Sequence, residues 1–188
     1  FLIVLCLLQA MPGVSEASLE LSLGTGLVVE KDSDGRNYSA RAPWLAQAGY
    51  RFDKYELFVE HSRFYDQSGE STYTINRTHE EWGVGLSYSF LTWKNLRLFS
   101  AYELGRQQEV VKTQAGTVSS VDYGDGEWLH SLRLGTTSVL WRGLYMSGEL
   151  RADFSSNFNP NPRPGGFLLL GYLFDREASQ GSTEASSK

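Results

Sequence analysis

The chain has 188 residues, which suits one domain of ordinary size. Its formal charge of −5 gives no indication of the positively charged surface that nucleic-acid binding requires. Mean hydropathy is slightly polar at −0.31, and no stretch after the N-terminus approaches the roughly 18 apolar residues that a membrane helix needs.

Residues 1–17, FLIVLCLLQAMPGVSEA, are typical of the apolar core and cleavage region of a secretory signal peptide whose beginning is missing. Ser15 and Ala17 supply the small residues before a cut after Ala17. The alternative is a buried helix or a membrane anchor, but ~10 apolar residues before Pro12 are too few to span a bilayer. Cleavage would remove Cys6, and with it any disulfide or thiol chemistry of the mature chain.

Apolar and polar residues then alternate with a period of two, the pattern of a strand with two different faces. Eight segments show this pattern: 19–29, 40–52, 55–65, 82–90, 96–105, 127–140, 144–154 and 166–174. In the fourth segment one face carries large apolar groups such as Trp82 and Leu86, whereas Gly83 and Gly85 lie on the other. Pro43 within the second segment predicts a bulge or a strand start.

The connections alternate in length, which indicates an up-and-down sheet with short turns at one end. Segments 53–54, 91–95 and 141–143 are short, whereas 31–39, 66–78, 107–126 and 155–165 are long and are predicted to be loops. We find no second domain. The predicted layout is a signal peptide at 1–17, a barrel at 18–174 and a disordered periplasmic tail at 175–188.

Closure of eight strands leaves no open sheet edge, which a bilayer requires. We therefore predict an all-β, eight-stranded antiparallel up-and-down transmembrane β-barrel, with apolar faces toward lipid and polar faces inward. A buried charge in so narrow an interior needs a partner. The sequence predicts a salt-bridged plug around Arg133; its members are Glu60, Glu103, Arg133, Glu149 and Arg151. Catalysis or proton relay by these charges is the alternative.

Aromatic residues fall at two heights, as expected for the interfacial belts of a membrane barrel. One group lies near the short turns: Tyr50, Phe52, Tyr55, Phe90, Trp93, Trp141, Tyr172 and Phe174. The other lies near the long loops: Tyr65, Trp82, Trp128 and Phe154. The alternative is a soluble lipocalin-like barrel, which would bury Trp44, Trp82, Leu86 and Tyr88 inside and put the charges in water.

The ending LLLGYLF, with Tyr172 and Phe174 in the aromatic places, is similar to the terminal strand that barrel assembly machinery recognises. Over residues 18–174 the chain resembles the small outer-membrane β-barrel proteins of Gram-negative bacteria, of the OmpA transmembrane domain and OmpX kind. The resemblance implies an outer-membrane, multi-pass protein that contacts membrane lipid, lipopolysaccharide and the assembly machinery.

An enzyme that modifies outer-membrane lipid is the second hypothesis. Lipid A deacylases carry a His-x-Ser pair on one strand, where the two side chains share a face and His activates Ser. Here His61 and Ser62 are adjacent, as are His130 and Ser131, so the members of each pair should point to opposite faces. Glu80 would supply an acid beside His61, and a β-bulge would be needed to realign either pair.

We expect the histidines and Arg63 to serve lipid contact instead. His61, Arg63 and His130 are predicted on the lipid face near the long loops, where lipopolysaccharide presents phosphates. The acidic stretches at 32–35 and 122–127 lack EF-hand spacing, so no metal or other cofactor is predicted. The favoured function is structural or surface-interacting, with the long loops contacting an unknown ligand; a narrow pore is a further alternative.

Overall fold

The structure is a computed structural model that describes residues 17–31, 38–70, 73–115, 117–156, 158 and 160–175. Residues 1–16 of the predicted signal peptide and 176–188 of the predicted tail lie outside these ranges. Ten strand segments are described: β1 (Ala17–Lys31), β2 (Tyr38–Arg41), β3 (Trp44–Phe52), β4 (Tyr55–Glu70), β5 (Tyr73–Trp93), β6 (Leu96–Ala115), β7 (Val118–Tyr123), β8 (Glu127–Trp141), β9 (Leu144–Phe154) and β10 (Arg163–Asp175). Within the described ranges, no helix is long and apolar enough to cross a membrane.

The segments form one closed antiparallel sheet. Its order is β10-β9-β8-β6-β5-β4-β3-β1, and β1 pairs with β10 to complete the ring. β2 and β3 are one strand interrupted at Ala42 and Pro43, and β7 and β8 are one strand interrupted at 124–126. The predicted eight-stranded barrel is therefore confirmed, and Pro43 lies immediately before a strand start as expected.

The short connections are tight hairpin turns. Asp53, Lys94 and Arg142 begin them with φ values of 53°, 52° and 44°, and Gly143 follows Arg142 with φ 86°. Left-handed residues are what two-residue hairpin turns require, because their twist matches that of the flanking strands.

Side chains alternate between the outside and the interior of the barrel along each strand. Leu132 and Leu134 on β8 are 53% and 55% exposed, whereas their neighbour Arg133 is 4% exposed. The side chains that a lipocalin-like barrel would bury face outward instead, with Trp82 61% exposed and Leu86 48% exposed. That alternative is therefore wrong, and the outward face presents apolar groups at mid-height.

The belt residues with exposed side chains lie at the two ends of this face. At the turn end they are Tyr55, Phe90, Trp93, Trp141, Tyr172 and Phe174, and at the loop end Tyr65, Trp82 and Trp128. Tyr50 is half-buried and lies beside Phe52, with ring centroids 6.3 Å apart.

Two small apolar clusters share the interior with the charges. One consists of Val28, Leu45, Phe167 and Leu169, and the other of Phe58, Phe99 and Ala101. Interior glycines make room for large neighbours: a Cβ at Gly85 would overlap the ring of Phe58, and one at Gly83 would overlap the carboxylate of Glu103. Small residues thus alternate with large ones across neighbouring strands, as a narrow barrel requires.

The long connections differ from the prediction. Most of 66–78 and 107–126 was expected to be loop, but β4 runs to Glu70, β5 starts at Tyr73, and β6 and β7 form a hairpin to 123. Together these segments form a four-stranded extension, which we name the projecting sheet: 64–70, 73–80, 108–115 and 118–123. The connection predicted at 155–165 also ends early, because β10 starts at Arg163.

Candidate functional site

Five ionic side chains meet at mid-height in the barrel interior and form what we name the central cluster: Glu60, Glu103, Arg133, Glu149 and Arg151. Arg133 Nη1 lies 2.7 Å from Glu60 Oε2 and 3.5 Å from Glu149 Oε2, and Arg133 Nη2 contacts Glu103. Arg151 Nη2 donates to Glu60 Oε2 at 2.8 Å and to Glu149 Oε2 at 3.0 Å. All five side chains are buried. Each of the two arginines contacts more than one carboxylate, so the buried charges are compensated within the cluster.

A second set, the lower cluster, lies toward the short turns and was missed from the sequence. Arg51 contacts Glu20 and lies 3.9 Å from Glu56 Oε2, and Arg97 Nη2 donates to the same Glu56 oxygen at 3.0 Å. Strand parity puts these four on the interior face, so the alternation that identified the central cluster would have found them.

A third set, the upper cluster, surrounds Arg163, whose side chain has no exposed surface. Its guanidinium lies 2.9 Å from Glu30 Oε1, 2.6 Å from Glu81 Oε1 and 3.0 Å from Asp153 Oδ2. Arg163 lies within 155–165, which was predicted from the sequence to be a loop. Its inward orientation was predictable, because Arg163 is separated by an even number of residues from the inward-facing Phe167 and Leu169.

The three clusters fill the interior at three heights. Between the lower and central clusters is a cavity of about 20 Å³, bordered by Ser22, Ser87, Arg97 and Arg133. That volume holds about one water molecule. The barrel therefore has a packed, polar interior at these levels.

The two His-Ser pairs are split between the faces of the barrel. Ser62 is 2% exposed and donates to Glu81 Oε2 at 3.0 Å, while His61 lies outside with its ring 3.9 Å from that of Trp82. No bulge realigns this pair, because residues 55–70 keep a continuous register with β5.

The second pair is arranged in the same way. Ser131 is 1% exposed and donates to Asp153 Oδ1 at 2.6 Å. His130 faces outward, and its Nδ1 lies 2.6 Å from the hydroxyl oxygen of Tyr102. Both serine hydroxyls thus donate to interior carboxylates, away from the histidine beside them.

Glu80 does not pair with His61. It pairs across strands with Arg63, with Oε1 3.3 Å from Arg63 Nε, whereas the cross-strand partner of His61 is Trp82. The suggested acid beside His61 is therefore wrong, and Arg63 already has a carboxylate partner.

The outward row at the loop end contains Arg106, a charged residue that is not among the predicted site residues. His61, Trp82, Arg106 and Trp128 are direct cross-strand neighbours on β4, β5, β6 and β8. Arg106 follows the outward-facing Tyr102 and Leu104 at a spacing of two, so its position was readable from parity.

No protein-family model and no curated protein matches the chain. Solved structures do match. Neisserial surface protein A is 16% identical with a TM-score of 0.64, covering 84% of this chain and 97% of that one. Ail, the attachment invasion locus protein of Yersinia pestis, is 13% identical with a TM-score of 0.56, covering 85% and 99%. A major outer membrane protein from Thermus thermophilus is 8% identical with a TM-score of 0.58, covering 84% and 99%.

These likenesses establish the fold. The chain has the architecture of the small outer-membrane β-barrels, so the resemblance noted from the sequence is confirmed at the level of fold.

Proposed function

We propose that the chain is a non-enzymatic outer-membrane protein that presents the projecting sheet at the cell surface for interaction with other molecules. The observation that carries this proposal is strand length. β5 has 21 residues and β6 has 20, whereas a tilted strand crosses a bilayer in about 10. The excess lies beyond the belt that holds Trp82 and Trp128, on the side away from the short turns.

The same proposal includes contacts with the membrane itself. The outward row at the loop end would meet the outer leaflet, so that His61, Arg63 and His130 lie beside lipopolysaccharide. Tyr172 and Phe174 on β10 would serve recognition by barrel assembly machinery. The apolar surface between the two belts favours contact with lipid, because about 25 cal/mol is gained per Å² of apolar surface removed from water.

The free edges of the projecting sheet suit an extended polypeptide partner. Within the described residues, β7 pairs only with β6, and β4 beyond Arg63 pairs only with β5. An unpaired edge offers backbone donors and acceptors to an added strand. Arg77 Nε lies 3.7 Å from Glu109 Oε1, so the positive charge of this arginine is offset by a carboxylate within the same sheet.

A trimmed variant tests the proposal without disturbing the barrel. Gly124 N donates to Glu109 O at 2.8 Å, so residues 110–123 can be replaced by an Asn-Gly turn between those two residues. Asp66 and Arg77 are direct cross-strand partners, so residues 67–76 are replaced by a second Asn-Gly turn, which removes most of both free edges. A peptide display library would be selected on cells that carry the full chain in the outer membrane. We expect enriched extended peptides that bind the full chain and lose binding on the trimmed variant.

The control is a variant with an intact sheet and a changed turn at the opposite end, Lys54→Ser. Peptides that bind the full chain and this control equally support the proposal. Equal binding to the trimmed variant, or no enrichment on a barrel that is folded in the outer membrane, would contradict it.

A further inference from the structure

An arginine interrupts the outward aromatic belt at the loop end. Arg106 on β6 has Trp82 and Trp128 as its direct cross-strand partners, and their side chains are 61% and 67% exposed. The next outward residues toward mid-height are Leu104 on β6 and Val84 on β5, both exposed and apolar. Arg106 thus lies where the apolar band ends, with an indole on each side.

Arg106 lacks the carboxylate partner that nearby arginines have. Among the described residues, no carboxylate lies within ion-pair distance of its guanidinium, whereas Arg63 pairs with Glu80 and Arg77 with Glu109. The guanidinium lies against Gly126, where a Cβ would overlap it. A guanidinium stays charged at every physiological pH and offers five donors, so this position favours an anion.

An open groove of about 520 Å³ lies on the far side of Trp128 from Arg106. Its lining residues are Glu127, Trp128, His130, Phe154, Ser155, Ser156 and Asn161. Ser155 and Ser156 both donate to Glu127 Oε2 at 3.1 Å, which fixes the carboxylate and leaves their oxygens as acceptors. Two aromatic walls with hydroxyl, amide and imidazole groups suit the alternating apolar and polar faces of a sugar ring.

We propose that Arg106, Trp128 and this groove bind the phosphorylated sugar headgroup of an outer-leaflet lipid of the lipid A class. The phosphate lies on the guanidinium of Arg106, and the sugar packs against Trp128 and hydrogen-bonds in the groove. This inference rests on the proposed outer-membrane location. Charge-assisted, bidentate contacts between guanidinium and phosphate are strong.

The test measures lipid A binding by the full chain folded in detergent micelles, using isothermal titration calorimetry. Probes are diphosphoryl lipid A, enzymatically dephosphorylated lipid A and inorganic phosphate. Variants are Arg106→Gln and Trp128→Leu. Their matched controls are Arg77→Gln, an exposed arginine with a carboxylate partner, and Trp141→Leu, an equally exposed tryptophan in the belt at the turn end.

We expect the affinity for diphosphoryl lipid A to fall roughly tenfold in Arg106→Gln and in Trp128→Leu. The controls should change it by less than about twofold. Dephosphorylated lipid A should bind the native chain and Arg106→Gln equally. Excess inorganic phosphate should fail to displace the lipid, because the sugar contacts add to the phosphate contact.

Unchanged affinity in Arg106→Gln would overturn the inference, as would equal loss in Arg77→Gln. Displacement by inorganic phosphate would also overturn it, because the site would then select a free anion. A separate arm inserts each protein into lipid vesicles. If the native chain does not insert, the proposed function fails; if it inserts and binds lipid A equally without Arg106, only this inference fails.

Discussion

Arg133 and Glu60 are 73 residues apart in sequence, yet Arg133 Nη1 donates to Glu60 Oε2 at 2.7 Å across the barrel interior. They lie on β8 and β4, which are separated in the sheet by β6 and β5. The contact therefore crosses the interior instead of following one face of the sheet. Ion pairs of this kind tie opposite walls of the barrel together.

The first prediction concerns removal of this arginine. Arg133→Ala should lower the free energy of unfolding by about 3–5 kcal/mol, because Glu60 and Glu103 would keep buried charge with less compensation. Urea titration in lipid vesicles measures the difference. Arg77→Ala removes a more exposed cation that also pairs with a glutamate, and it should cost less than about 1 kcal/mol. Equal effects of the two substitutions would refute the plug.

The second prediction separates glycines that face the barrel interior from glycines on the outward face. Gly85→Ala should destabilise the barrel by roughly 1–3 kcal/mol, since its Cβ would overlap the ring of Phe58. Gly148→Ala should be close to neutral, because its Cβ would meet only Leu168 Cδ2 at 3.6 Å. Unfolding free energies in the same vesicles decide the matter. A larger loss at Gly148 would mean that the two faces are assigned the wrong way round.

The third prediction addresses the pore hypothesis. Three ionic clusters occupy the interior, and the cavity bordered by Arg97 and Arg133 has a volume of about 20 Å³. We therefore expect no stepwise single-channel currents across a planar bilayer that contains the purified protein. Reproducible single-channel openings from the native chain would contradict this, whereas openings seen only in Arg133→Ala would support the plug.

The fourth prediction addresses the enzyme hypothesis. His61 and Ser62 face opposite sides of the barrel wall, and so do His130 and Ser131, so neither histidine activates its neighbouring serine. Mass spectra of lipid A from a Gram-negative host should be unchanged when the chain is expressed and folded in the outer membrane. Loss of one defined acyl chain would show that the barrel is an enzyme.

Much of the barrel was predictable because alternation is local. Period two sorts Arg133 and Leu134 onto opposite faces without knowledge of any other strand. Which carboxylate meets Arg133 was not predictable, because that depends on the stagger between strands, a property of the closed sheet.

Two further features escaped the sequence analysis for different reasons. Every residue of β7 in the projecting sheet is exposed, so nothing imposes an alternation of apolar and polar residues at 118–123. Arg163 lies in the segment 155–165 that was predicted to be a loop, and Pro164 follows it directly. A strand start tolerates proline, however, because its missing N–H costs little at that position.

The central claim is that the chain spans an outer membrane with the projecting sheet outside and the short turns inside. Single cysteines at Ser119 in β7 and Lys54 in a short turn, each introduced with Cys6 replaced by Ser, test it directly on intact Gram-negative cells. A membrane-impermeant maleimide should label Ser119→Cys on intact cells and Lys54→Cys only after the outer membrane is permeabilised. The reverse pattern, or labelling of both on intact cells, would contradict the account.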